Sequence, residues 1–574
     1  MEPSYDLFEC GEIIMKVPVY AIERMAGRSC HFSFVFLSFY VIIFSTERGF
    51  GMKDFYYDTI IYDSFAEMLQ GWQVHHPDKA AIRYRKEDQT VTITYRELVR
   101  QVCSLYHYYR EHDINGRHIG IVAENRYEYI VIYLATVLSN VIAPLDKELD
   151  TATLAETVRA FDIDVLLYTE KTGKKVENLA ENGELQLIDI DEAYPEMTGR
   201  EYPVEAFLSR IQEIDKDKFS VLASTSGTDG KMKGVMLSQY NVVVNIRGTL
   251  ENNILKSPTL ALLPMNHTYG FNPGILATLY NGTCVCLNLN LKHLARDLKE
   301  YDPFFFEAVP MVLEGIYKNI IREVKRQKKY PLFCRMIRLS QFLLKFHIDV
   351  RHLFFGNFIN KRLRLVVSGG ASLNPFYVER FAELGIELLN GYGMTECSPT
   401  VAVSRKQNNV AGSAGTIMRH IDVKIAQDGE ILVKGPNVML GYYKDPEATA
   451  ACMENGYFKT GDLGHVEGKV IFVTGRKKNL IILGNGKNFS PEAVEKKLLD
   501  LPYVTECIVT SRIVNQNEIV LAMIYMEKPE KRLTEDIKAI NQTLPGYMKI
   551  DQIEVRDTPF EKNSSRKIRR SMYA

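Results

Sequence analysis

Residues 224–234, Ser-Thr-Ser-Gly-Thr-Asp-Gly-Lys-Met-Lys-Gly, crowd hydroxyls, glycines and two lysines into one short segment. Apolar runs at 219–223 and 235–237 flank it, and that pattern predicts strand, loop, strand. Small residues let backbone N–H groups approach an anion, hydroxyls add donors, and lysine adds charge; together they suit a polyphosphate. A solvated hairpin of the same composition is the alternative for the stretch alone. The common nucleotide loop G-x-x-x-x-G-K-[ST] cannot be fitted to it.

A second group lies downstream. Residues 388–396 read Leu-Leu-Asn-Gly-Tyr-Gly-Met-Thr-Glu, and a Gly-Gly-Ala turn at 369–371 precedes them. Tyr392 between two glycines offers an exposed ring for stacking on a base. Thr395 offers a hydroxyl and Glu396 a hard oxygen ligand for Mg²⁺. His267, in Pro-Met-Asn-His-Thr-Tyr-Gly at 264–270, closes a strand-like run. A lone histidine is more often a satisfied structural residue than a catalytic one.

In this order the segments resemble the adenylate-forming superfamily of acyl-CoA synthetases, luciferases and peptide-synthetase adenylation domains. That family's loop reads S-[ST]-G-T-[ST]-G-x-P-K-G. Asp229 stands here for a hydroxyl residue and Met232 for the proline. Further blocks follow at 429–449, 457–462 (Tyr-Phe-Lys-Thr-Gly-Asp), 475–478 (Gly-Arg-Lys-Lys) and 559–570. The resemblance implies that Thr225, Ser226, Gly227, Thr228, Gly230 and Lys233 hold the β- and γ-phosphates of ATP. It implies that Gly370, Ala371, Asn390, Gly391 and Tyr392 receive the nucleotide, with Thr395 on the α-phosphate and Glu396 on Mg²⁺. Asp462 and Arg476 then bind the ribose, for which an aspartate is apt because it accepts two hydroxyl protons. His267 lies by the acyl carboxylate, and Lys478 is the hinge between two domains. Lys567 takes the catalytic lysine position, with Arg566 replacing the family's glycine.

The implied reaction has two steps: a carboxylate and ATP give an acyl-adenylate, and coenzyme A thiol then displaces AMP. A medium- or long-chain fatty acid is the expected substrate. Two other readings stand beside it. An acyl carrier protein could accept the acyl group, or the chain could be a non-catalytic, lipid-responsive membrane scaffold.

The elements expected to carry these residues are α/β. Strands at 118–122 and 141–144 flank a helix at 129–138, a βαβ unit that demands a parallel sheet. Thr94 to Glu97 has capping-box spacing ahead of a helix, and Asn374, Pro375 and Gly385 give the cap, first turn and stop of another. At 574 residues the chain exceeds a single core. The expected fold is a large multi-sheet N-terminal domain, 52–476, with a small mobile α+β lid, 477–574. Residues 1–51 read as an over-extended start or disordered extension. Their apolar run at 31–44 falls short of the roughly 20 residues needed to span a bilayer, and a membrane-associated anchor is the rival reading.

Net charge is −1, which creates no field selecting nucleic acid. The nine cysteines include no C-x-x-C pair, as expected of a cytoplasmic enzyme with reduced thiols. One tract stands apart. Residues 322–364 hold twelve Lys/Arg against Glu323 and Asp349, with leucines and phenylalanines between them. Its placement resembles an insertion in long-chain fatty acyl-CoA synthetases. It reads either as a basic helix for an anionic membrane surface or as a solvated face over a core stripe.

Overall fold

The structure, a computed structural model, describes residues 56–180, 185–226, 232–356, 360–371, 373–483, 487–514, 517–562 and 568–573. The extension at 1–51 lies outside them, as do Gly227, Thr228, Gly230 and Lys567.

The strands at 118–122 and 141–144 pair in parallel across helix Tyr127–Thr136, as the βαβ pattern requires. They belong to a seven-stranded sheet that runs Gly441–Tyr442, Met232–Ser238, Phe219–Ser226, Val141–Pro144, His118–Val122, Val165–Tyr168, Gln186–Asp189. The phosphate-loop candidate closes an antiparallel hairpin there, with Ser226 opposite Met232 and Thr225 opposite Lys233. The strands run past the apolar residues into the hydroxyls, because the ladder extends to the last opposed pair.

A fourteen-stranded sheet lies beside it and changes character part-way. Strands Thr259–Ala261, Val285–Leu287, Phe305–Ala308, Leu365–Ser368 and Glu387–Gly393 pair in parallel. From Thr400–Val403 onward the pairing is antiparallel, through Gly415–Ile417, Val470–Arg476, Tyr457–Glu467 and Glu430–Lys434. Residues 394–399 bridge that change. In α/β sheets, ligands gather in crevices at the carboxyl ends of parallel strands.

Helix Gln239–Asn252 carries the packing between the sheets. Ser238 and Asn241 form its capping box, and every residue from Gln239 to Asn252 except Tyr240 is buried. A helix buried all round should be apolar throughout; this one instead carries asparagines whose amides are used. Asn245 donates to the carbonyls of Cys397 (3.0 Å) and Thr400 (2.7 Å) and accepts from Thr400 N–H (3.2 Å).

Two expectations are corrected. Thr94 does cap helix Tyr95–Glu111, but Glu97 turns its carboxylate to Arg100 and Gln101, so the box is not reciprocal. The basic tract is no single helix: it spans the end of Pro310–Arg326, then Tyr330–Leu344 and Arg351–Phe355. The C-terminal part forms a smaller α+β domain with its own core, from Ile481 through Val494, Val509 and Ile524 to Ile550. Its three-stranded sheet pairs Glu506–Val514 with Asn517–Tyr525 and that strand with Gln552–Arg556. Among the described residues, no helix is long and apolar enough to cross a membrane.

Asn245→Ala leaves the buried Thr400 N–H without its acceptor and leaves the Cys397 and Thr400 carbonyls to Asn437 alone. Its expected cost is about 2–3 kcal/mol, read from chemical unfolding. A loss below about 0.5 kcal/mol, the level of an ordinary surface change, would show the amide is not holding the 394–399 segment.

Candidate active site

The site is built on the carboxyl edge of the parallel strands. Leu365–Ser368 runs into Gly369, Gly370 and Ala371, and the neighbouring strand Glu387–Gly393 carries Asn390, Gly391 and Tyr392. Two glycines are required by space. A Cβ on Gly369 would sit 2.6 Å from the Tyr269 ring, and one on Gly393 would sit 2.0 Å from the Pro399 carbonyl oxygen. Gly370 has φ +77° and reaches the surface beside Ala371. Asn390 spends its amide on the Ser413 carbonyl (2.7 Å).

Tyr392 is corrected from exposed to half-buried. Its hydroxyl donates to Asp462 (2.9 Å), and burial, then the Asp462 charge, pushes its pKa up. Asp462 faces Arg476 across the hairpin of strands Tyr457–Glu467 and Val470–Arg476. The guanidinium Nε lies 2.9 Å from the Asp462 carboxylate, which is only 4% exposed. The register of one hairpin therefore brings Asp462 and Arg476 together, and the adjacent edge adds Tyr392.

Glu396 and Lys233 meet through a residue that sequence reasoning gave no role. Tyr442 lies on the two-residue strand paired to Met232–Ser238, with Tyr442 opposite Val235. Its hydroxyl donates to Glu396 (2.9 Å), and the Lys233 ammonium stands 5.0 Å from its ring centre. Burial, then the Glu396 charge, raises the Tyr442 pKa. Tyr442 thus bonds the phosphate-hairpin sheet to the acidic residue of the other sheet. Only its place in the 429–449 block pointed to it.

The segment that holds Thr395 and Glu396 is clamped from three directions. Asn245 and Asn437 donate to the Cys397 carbonyl, and Asn272 donates to that of Ser398. Met439 N–H reaches the Glu396 carbonyl (2.8 Å). His267 caps the short helix Thr268–Phe271 and accepts at its carbonyl from Phe271 N–H (3.0 Å). Tyr269, two residues on, packs on Gly369 and donates to the Val367 carbonyl (3.2 Å). The His267 turn is therefore fixed to the Gly369 turn through Tyr269.

Lys478 sits in the turn Lys477–Asn479 that leaves the large sheet. Lys477 is bolted to Asp428 (2.6 Å) and Glu430 (2.8 Å), while burial lowers the Lys478 pKa. Beyond it, Asn479 bonds Glu492 (2.6 Å) in the smaller domain. Contacts across to the large domain include Ser490 with the Thr474 carbonyl (3.0 Å), Asn374 with the Leu499 carbonyl (3.1 Å) and Lys318 with Glu527 (3.9 Å). Lys562 and Ile568 pair on either side of the segment holding Lys567. Burial pushes Glu314 up against the pull of Lys318 and Lys562, so the chain enters that segment near helix Pro310–Arg326.

The model of the AMP-binding enzyme family matches residues 69–443. The chain belongs to that family, within the adenylate-forming superfamily, and its class is that of the AMP-forming acid–thiol ligases. It is 26% identical over 434 residues to the long-chain-fatty-acid–CoA ligase FadD15 of Mycobacterium bovis, covering 69% of this chain and 71% of that one. It is 28% identical over 412 residues to the chloroplastic long-chain-fatty-acid–[acyl-carrier-protein] ligase AEE15 of Arabidopsis thaliana, covering 59% and 55%. Among solved structures it is similar to the o-succinylbenzoate coenzyme A synthetase of Bacillus subtilis in complex with ATP and magnesium ion. That match has TM-score 0.69 and 25% identity and covers 88% of this chain and 98% of that one.

Asp462→Asn removes the charge facing Arg476 and Tyr392. AMP affinity, measured by calorimetry, is expected to fall about tenfold or more, about 1.4 kcal/mol. Unchanged affinity would remove Asp462 from the nucleotide site.

Proposed function

We propose that the chain activates a medium- or long-chain fatty acid with ATP and transfers the acyl group to coenzyme A. The observation that carries this reading is that Glu396 and Tyr392, four residues apart, each anchor a polar cluster: Glu396 with Tyr442 and Lys233, and Tyr392 with Asp462 and Arg476. The first suits a triphosphate and the second a nucleoside. The carboxylate attacks the α-phosphorus and pyrophosphate leaves; thiol sulfur then attacks the acyl carbon and AMP leaves. Thr225, Ser226 and Lys233, with Gly227, Thr228 and Gly230, cradle the β- and γ-phosphates, and Thr395 donates to the α-phosphate. Gly370, Ala371, Asn390 and Gly391 line the base and sugar. His267 positions the acyl carboxylate. Most of this catalysis is positioning and charge neutralisation.

Magnesium fits the donor set. Among the described residues no group of three or more His, Cys, Asp or Glu could hold a metal alone. A half-buried Glu396, oriented by Tyr442, suits an ion bound by one carboxylate, waters and substrate phosphates. Such an ion supplies charge neutralisation at the phosphate oxygens.

The division falls at Arg476, with residues 477–574 a mobile lid that turns about Lys478. The Lys477 anchor to the large domain and the separate core of the residues that follow it support that hinge. The lid excludes water from the mixed anhydride and delivers Lys567 for adenylation. The location is cytoplasmic. FadD15 favours coenzyme A as acceptor, and AEE15 keeps an acyl carrier protein as the alternative.

Pyrophosphate exchange over a panel of carboxylic acids, then a comparison of thiol acceptors, tests the reading. Transfer to an isolated carrier protein but not to coenzyme A would install the alternative. Lys567→Ala should cut adenylation by about 10²–10³ yet still convert supplied acyl-adenylate and coenzyme A to thioester. Arg566→Gly with Lys567→Ala removes any substitute cation. Equal losses in both half-reactions with an intact fold would refute the rotating lysine.

The basic tract supports peripheral contact with an anionic membrane. On helix Tyr330–Leu344 and just beyond it, Leu332, Leu339, Phe342 and Phe346 expose 54%, 48%, 55% and 61% of their surface. Exposed Lys328, Lys329, Arg335, Arg338 and Lys345 surround them. Half-exposed apolar side chains ringed by cations match an interfacial surface better than a solvated face. Binding to phosphatidylserine vesicles should fade as salt shortens the screening length from about 30 Å at 0.01 M to about 3 Å at 1 M. Phe342→Ser with Phe346→Ser should weaken it at every salt concentration. Absence of binding by the parent chain at low salt would leave only the solvated face.

A further inference from the structure

Glu307 lies in the middle of strand Phe305–Ala308, a central parallel strand hydrogen-bonded between Thr259–Ala261 and Leu365–Ser368. Side chains alternate across a strand. Phe306 and Ala308 enter one core, with Leu260 and Val366; Phe305 enters the other, with Val367, Phe271 and Ile275. Glu307 shares the face of Phe305 and points to the helical segment that begins at His267. There its Oε2 lies 3.0 Å from where a Cβ on Gly274 would stand.

Three features separate this carboxyl from an ordinary core residue. It is buried, and Oε2 has no hydrogen-bond partner. Burial alone pushes its pKa well above the carboxylate range, with no cation opposing the shift. It faces a π-helical turn, Asn272–Leu276, in which Gly274 supplies the space; such turns cluster at functional sites. An unpartnered acid in a dry core is costly, and a buried polar atom without a partner calls for a role.

The surroundings suggest the role. The helical segment starts at His267, is tied to the 394–399 segment by Asn272, and lies on the Gly369 turn through Tyr269. Gly274 is six residues beyond Thr268, about 9 Å at 1.5 Å per residue. On the acyl-activating reading, an acyl chain whose carboxylate sits at the His267 turn and runs along this helix would pass Glu307.

We propose that Glu307 is a specificity-determining residue that donates a hydrogen bond from its protonated carboxyl to an oxygen on the acyl chain. This selects fatty acids carrying a hydroxyl or oxo group part-way along. The inference rests on the acyl-activating reading above and narrows its substrate class.

The test is pyrophosphate exchange with matched acids of equal length, with and without a mid-chain hydroxyl or oxo group. The intact chain should favour the oxygenated acid by about tenfold or more in kcat/KM, since a site built to hydrogen-bond discriminates strongly against a chain lacking the group. Glu307→Gln keeps a donor and should retain the preference within about threefold, a fraction of one hydrogen bond's worth. Glu307→Leu should reverse it and raise the melting temperature, because the unpartnered acid is gone. The higher melting temperature also certifies the fold of that variant. An unchanged ratio in Glu307→Leu overturns the inference and leaves the ligase reading intact, as does a preference for amine-bearing acids. If no acid supports exchange in the intact chain, the ligase reading fails and this inference fails with it.

Discussion

Buried carboxamides hold this active site together. The segment from Thr395 to Thr400 crosses from the parallel to the antiparallel half of the large sheet, and the carbonyls of Cys397, Ser398 and Thr400 take side-chain donors there. Backbone polar groups left buried and unpaired are costly. Asn245, Asn272 and Asn437 donate to those carbonyls from three separate segments. Asn245 belongs to the helix that follows the phosphate hairpin, Asn272 to the helix that follows His267, and Asn437 to the approach to Tyr442. These three segments are therefore registered against the same few peptide groups. Displacing one would unpair a buried carbonyl as well as move a side chain.

The same economy explains the Glu396–Tyr442 bond. Glu396 belongs to one sheet and Lys233 to the other, and the two sheets share no ladder. Tyr442 pairs with the Lys233 strand through its backbone and reaches Glu396 through its hydroxyl. One aromatic side chain thus sets the spacing between a cation and an anion. An aromatic residue suits this task because its few rotatable bonds carry a polar tip on a rigid, half-buried body.

The strands of the parallel core were legible because their signal is local. Residues 118–122 and 141–144 read as strands flanking a helix and form strands with those bounds. The motifs were legible through resemblance, and two of their glycines have a steric reason: a Cβ on Gly369 would meet the Tyr269 ring and one on Gly393 the Pro399 carbonyl. What could not be read were partners set by distant sequence. Nothing near Asn245 announces the Thr400 carbonyl 155 residues away, and an asparagine inside an apolar helix reads as a poor helix former. Tyr392 looked exposed because its glycine neighbours are small, but the sheet edge brings Asp462 over it. The basic tract read as one helix because charge alternation continues through its turns, while positive φ at Lys328 and His347 marks where the chain bends.

Three acids near this cleft show how placement on one scaffold separates their chemistry. Asp462 is buried but meets a guanidinium and a phenol, so its charge is compensated and its oxygens are aimed. Glu396 is half-buried with one phenol donor, which leaves it within reach of a hydrated cation. Glu307 is buried with neither, and burial without a partner favours the protonated form. The first two stand at strand or loop ends, where neighbouring elements can supply donors. The third stands within a strand, where backbone groups are already spent on the ladders and only a side chain or a ligand can answer it. A hydrogen-bond donor at that depth has value only if something polar arrives beside it.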